Sequence, residues 1–114
     1  MKIDTSELSA LAGDAYSSAG KIAAGASAAM RKTAFDIERT AKAAAPVDTG
    51  ALRASISTDT TATTAEVGPT VKYGEFVELG TSRMGPQPFL GPAFDRHLPE
   101  FQRAVGDLAQ GMLR

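Results

Sequence analysis

The stretch PVDTGALRASISTDTTATTAEVGPTVKYGEFVELGTSRMGPQPFLGPA, residues 46–93, decides the fold, because it holds five of the six prolines and the most conformationally demanding residues of the chain. Its opening, Pro46-Val47-Asp48-Thr49-Gly50, is a turn. Proline disfavours a helical residue before it, and Asp and Gly are what a side-chain-capped tight turn requires. Leu52, Ala54, Ile56 and Thr58 then alternate with Arg53, Ser55, Ser57 and Asp59, the period of a half-buried strand. Ala65 and Val67 repeat the alternation before Gly68-Pro69 closes it. The simplest arrangement is an antiparallel hairpin with a polar, threonine-rich tip between Asp59 and Thr63. Tyr73, Phe76, Val77 and Leu79 are spaced for one or two turns of helix stopped by Gly80, with a strand as the alternative. Thr81 to Gln87 reads as a loop, and Pro88-Phe89-Leu90 as an extended anchor into the core.

Upstream, apolar or small residues recur at Leu8, Leu11, Ala15, Ala19, Ile22, Ala26, Met30, Ala34, Ile37, Ala41 and Ala44, which is the period of one long helix with a narrow stripe. Asp4 with Glu7 suits a capping-box start, and Pro46 supplies the stop. Gly13, Gly20 and Gly25 each cost about 1 kcal/mol relative to alanine. Residues 1–25 therefore read as a helical extension, bent, frayed or ordered by partners, and residues 26–114 as a single α+β domain. The stripe is mostly alanine, so another backbone can approach it closely. Over 26–44 the ordinary reading is a helix lying on a sheet; over 5–25 it is contact within an assembly. Downstream, Pro92 suits a first helical turn, and Phe94, Leu98, Phe101, Val105, Leu108 and Met112 continue the period. Pro99 interrupts this pattern without shifting its phase, which favours a kinked helix over two separate ones.

At 114 residues the chain suits one domain with a modest core, undersized because Trp is absent and aromatics are only 6%. Such a chain gains from burying surface against copies of itself or partners. A net charge of −1 from 12 basic and 13 acidic residues gives no field to hold a polyanion, leaving only a local patch at Arg31, Lys32, Arg39 and Lys42. With zero cysteines there are no disulfides, thiolate metal sites or cysteine nucleophiles. No apolar run is long enough to span a membrane, and the first residues lack the basic start and apolar centre of a secretory signal.

Few constellations carry chemistry. Asp48-Thr49-Gly50-Ala51 matches the signature with which aspartic proteases pair two carboxylates, one triplet per subunit in small homodimeric forms. Against that, a long helix leads into the triplet, a proline turn precedes the aspartate, and the region after it reads as a strand. Glu75 and Glu78 are carboxylates at helical spacing. Glu78, between Val77 and Leu79, is expected to be partly buried against Arg53, so that Glu78→Gln lowers stability. His97 has no companion at ligand spacing, and no phosphate-cradling loop or Ser-His arrangement occurs. Catalytic, cofactor and metal residues are accordingly all expected to be absent, and a generic protein-binding module is a further alternative.

Together, Ala45-Pro46-Val47-Asp48-Thr49-Gly50, Leu52-Arg53, Ser55-Ile56, Val67-Gly68, Tyr73, Phe76-Val77-Glu78-Leu79-Gly80-Thr81, Met84, Pro86-Gln87-Pro88-Phe89-Leu90 and Pro92-Ala93 resemble the head-to-tail joining, or tail-completion, proteins of long-tailed bacteriophages and prophages. The resemblance covers roughly residues 28–110, and Gly74 stands where that family commonly has alanine. It implies an α+β fold with a long N-terminal helix, a small antiparallel sheet built on a hairpin, a short helix and a C-terminal helix. It also implies a non-enzymatic role: a ring, typically six-fold, at the neck of the virion, assembled in the host bacterial cytoplasm. Its implied partners are further copies of itself, the tail terminator or tail-tube protein and the head-tail connector, with DNA passing through unbound. The residues it marks for assembly are Pro46, Asp48, Thr49, Gly50, Leu52, Arg53, Tyr73, Glu78, Gly80, Thr81, Pro88, Phe89, Leu90 and Pro92.

Overall fold

The fold is described for residues 1–6, 18–46, 50–82 and 85–112 of a computed structural model of the chain. In chain order its elements are β1 (Lys2–Asp4), α1 (Ser18–Ala44), α2 (Ala51–Ser55), β2 (Ile56–Thr60), β3 (Thr64–Pro69), α3 (Gly74–Leu79) and α4 (Leu90–Met112). This is the expected α+β architecture. Leu8, Leu11 and Ala15 of the predicted stripe lie outside the described residues, as do Glu7, Gly13, Asp48, Thr49 and Met84.

Helix α1 is the spine. Ala26, Met30, Ala34, Ile37 and Ala41 are all fully buried, at steps of three and four, so one face of the helix is turned inward. That face lies on the sheet and beside α4. The alanine stripe of this half is thus spent within the chain, as the ordinary reading has it. Ala44 is exposed and Ala45 takes the buried place after it.

The sheet has the order β1-β3-β2, antiparallel throughout. Ile3 pairs with Ala65 and Thr58 with Val67, and Ile3, Ala65, Val67 and Ile56 form its buried face. The hairpin is where the alternation puts it. Its central strand gains a neighbour that the sequence pattern does not announce, because three residues are too few to show a period: Lys2–Asp4 forms an edge strand. Val67 N–H donates to Met1 O at 2.8 Å and Thr5 N–H to Thr63 O at 2.5 Å, extending that pairing at both ends. Asp4 ends β1 two residues before Ser6, which is helical, as a start capped at Asp4 requires. Its Oδ1 accepts from Ser6 N–H at 2.8 Å, which turns the chain out of the strand.

The segment after the turn differs from expectation. Residues 51–55 are helical and the strand begins only at Ile56. Leu52 and Ile56 are both buried. Four residues apart, they satisfy one helical turn as well as they satisfy alternation. Gly50 tips the balance with φ 77°, a left-handed conformation from which its carbonyl accepts Ala54 N–H at 2.9 Å.

Helix α4 runs antiparallel to α1, with His97 beside Thr40 and Leu108 beside Gly25. It continues through Pro99, which is exposed, and keeps its apolar phase. Ala93 is buried, while Phe94, Leu98, Phe101, Val105 and Leu108 are half-buried. The molecule measures 54 × 22 × 21 Å with a radius of gyration of 16.5 Å, elongated beside the roughly 13 Å of a compact domain this long.

Candidate assembly surface

More than half of the residues singled out in the sequence lie between Tyr73 and Pro92, on α3, on the start of α4 and in the connection between them. Tyr73 precedes α3 by one residue, and Tyr73, Phe76 and Leu79 follow one another at steps of three along one face. They are 45, 56 and 75% exposed, an unusual fraction for large apolar side chains gathered on a six-residue helix. Val77, a quarter-turn round from Phe76, packs against the core, and Gly74 is buried. The apolar cluster predicted here is therefore divided, with one member inward and three turned to solvent.

Gly74 is where α3 meets the rest of the fold. A Cβ there would lie 2.4 Å from Pro69 Cγ and 2.7 Å from Pro69 Cβ. An alanine at this position would push α3 off the end of β3. Gly80 ends the helix with φ 79° and ψ 174°, a backbone region that is essentially glycine's own, while its N–H still bonds Phe76 O at 2.8 Å.

The expected partner of Glu78, Arg53, is not its partner. The Glu78 carboxylate accepts three backbone N–H groups at the start of α4: Oε2 from Phe89 at 2.8 Å and Leu90 at 2.9 Å, Oε1 from Gly91 at 2.8 Å. The first turn of a helix leaves such donors unsatisfied and carries partial positive charge, so a carboxylate is the natural acceptor. Pro92, next in line, has no N–H to satisfy. Gln87 N–H also returns to Val77 O at 2.8 Å. The last turn of α3 thus holds the α4 end of the connection at Gln87 and again at Phe89, with Gly85, Pro86, Gln87 and Pro88 exposed. Phe89, fully buried, and Leu90, at 7% exposure, anchor the connection in the core. Of the anchor as predicted, only Pro88 stays outside.

The remaining marked residues are scattered. Leu52 is buried, Pro46 and Arg53 are half-buried, and Thr81 is exposed. Among the described residues the buried Arg53 Nε has no hydrogen-bond partner. The hairpin tip does not project as a free arm. Ser27 Oγ on α1 donates to Ala62 O at 2.7 Å, and Thr61 Oγ1 accepts Thr64 N–H at 3.0 Å within the turn. On the outer face of the sheet is an open depression of about 220 Å³ whose lining includes Ser57, Asp59, Glu66 and Thr70. These four offer two carboxylates and two hydroxyls.

A polar cluster on the α1–α4 seam escaped the sequence reading because its members come from two helices. Asp36 is paired with both Lys32 and Arg39, so two cations of the anticipated basic patch are already matched by an acid. The Lys32 hydrogen bond holds the Asp36 carboxyl below the usual carboxylate range, against a smaller opposing effect of burial. His97, 8% exposed, has Nε2 2.7 Å from Thr40 Oγ1. Asp36, His97 and Glu100 each bring one ligand-type atom within 4.8 Å of the others. Packing thus brings Asp36 of α1 to His97, while Glu100 stands three residues on along the same helix.

Among the described residues no helix is long and apolar enough to cross a membrane. The aspartic-protease alternative gains no geometric support, since Asp48 lies outside the described residues and a 27-residue helix leads towards its triplet. Residues 13–80, more than half of the chain, match a protein-family model described as Bacteriophage HK97-gp10, putative tail-component. No curated protein and no solved structure matches.

Proposed function

The chain belongs to this HK97-gp10-like family of bacteriophage tail components, and from that premise we propose that it is a non-enzymatic structural protein of the virion neck. In this reading copies of the chain form a ring, of six subunits by the resemblance, that completes the tail. The ring sits between the tail terminator or tail-tube protein and the head-tail connector, and is assembled in the host cytoplasm. The observation that carries the reading is the row Tyr73, Phe76 and Leu79, three large apolar side chains exposed on a helix whose backbone is clamped at both ends. Rigid, exposed apolar groups are what a subunit contact needs, since little ordering entropy is lost on docking. The outer edge of β2 offers unpaired backbone groups for strand addition as a second contact. A net charge of −1 suits a lumen through which DNA must slide without being held.

Light scattering on the full chain, alone and with the tail-tube and connector proteins of its own gene neighbourhood, tests this directly. The expected result is a ring, or a monomer that becomes one on the tail end. Phe76→Asp combined with Leu79→Asp should abolish that mass while leaving thermal unfolding nearly unchanged, because both side chains are already exposed. A stable dimer indifferent to both partners would overturn the reading.

A further inference from the structure

We propose that Asp36, His97 and Glu100 form a binding site for a zinc-class dication that ties α1 to α4. Three observations converge on it, independently of the assembly role. First, the donor set of one imidazole and two carboxylates is suited to zinc, nickel or cobalt and poorly suited to magnesium. Ligand atoms around a four-coordinate zinc with bonds of about 2 Å sit roughly 3.3 Å apart. His97 Nδ1 and Glu100 Oε2 are already 3.5 Å apart, and all three ligand atoms lie within 4.8 Å of one another.

Second, His97 Nδ1 is buried and has no hydrogen-bond partner among the described residues, with Glu100 Oε2 at ion-pair distance, 3.5 Å. The other ring nitrogen is engaged by Thr40, as the outer nitrogen of a metal-binding histidine ordinarily is by a polar group behind it. In the tautomer that a metal would select, with Nε2–H donating to the Thr40 hydroxyl, Nδ1 presents a lone pair towards two carboxylates. A cation placed among them relieves that repulsion.

Third, closing the site demands little of the fold. Glu100 is 54% exposed and free to swing. Asp36 itself is 15% exposed, but Lys32 and Arg39, which now neutralise it, are 75 and 78% exposed, so both cations can turn out to solvent.

The chain has one histidine and no cysteine, so a zinc ion held by imidazole has only this ring to use. The experiment is a titration of untagged, chelator-stripped full-length protein with zinc chloride. It is followed by calorimetry, by melting temperature and by the nitrogen resonances of the single imidazole. The expected result is one zinc per chain, a higher melting temperature and a displaced Nδ1 resonance, with no response to magnesium. Glu100→Gln, at an exposed position that leaves the fold intact, and Asp36→Asn should each weaken zinc at least about tenfold. Absence of a zinc response in the unaltered chain, or zinc binding that leaves the imidazole resonances in place and is indifferent to Glu100→Gln, would overturn the proposal.

Discussion

Glu78 shows how much one side chain can organise. Its carboxylate accepts three main-chain donors, and charge-assisted hydrogen bonds of this kind are among the stronger ones in proteins. Removing it strands those donors at a helix start that is partly out of water. Glu78→Ala is expected to cost about 2–3 kcal/mol in urea unfolding, and Glu78→Gln, which keeps one neutral acceptor oxygen, about half as much. A melting temperature unchanged in both would mean that water serves those donors equally well. That Glu78 is a structural acid was legible from its place between Val77 and Leu79, ahead of Gly80. Which groups it serves was not, because the backbone donors of Phe89 to Gly91 leave no mark on side-chain identity.

At the scale of elements, two glycines separate backbone strain from steric exclusion. Gly50 needs its left-handed φ, yet a methyl there meets nothing within 4 Å. Gly74 has no such φ, and a methyl there runs into the Pro69 ring. Gly50→Ala should therefore cost about 1 kcal/mol and Gly74→Ala about 2–3 kcal/mol, an order that parallel denaturation curves would check. A reversed order would mean that Pro69 gives way more readily than the Gly50 turn. The helices and the hairpin were legible because their patterns run for many residues: the stripe from Ala26 to Ala41, the alternation in Ile56–Thr60 and Ala65–Val67, the phase of α4 across Pro99. Short elements were not. Over five residues, Leu52 to Ile56 fits a helical turn and a strand equally, and a single φ at Gly50 decides.

Across the whole molecule, the sheet ties the beginning of the chain to its middle. Ile3 is 6% exposed and pairs with Ala65. Ile3→Ala is expected to cost about 2–4 kcal/mol and to speed amide exchange at Val67, whose N–H bonds Met1 O. Protection at Val67 equal to that of the unaltered chain would show that the edge strand holds without its apolar anchor. Family membership and the α+β plan were legible in a string of motifs. The exposed row on α3 was not, since apolar identity alone does not say which way a residue faces. The central place of β3 also imposes an order in time. Thr5 and Thr63 are joined though 58 positions apart in sequence, and a ribosome delivers the first residues well before their partners. The earliest-made strand must wait, unpaired, while the spine and the hairpin are synthesised, and is seated only when that long loop closes. On a nascent chain β1 therefore stays without its partner strand until β3 has been made.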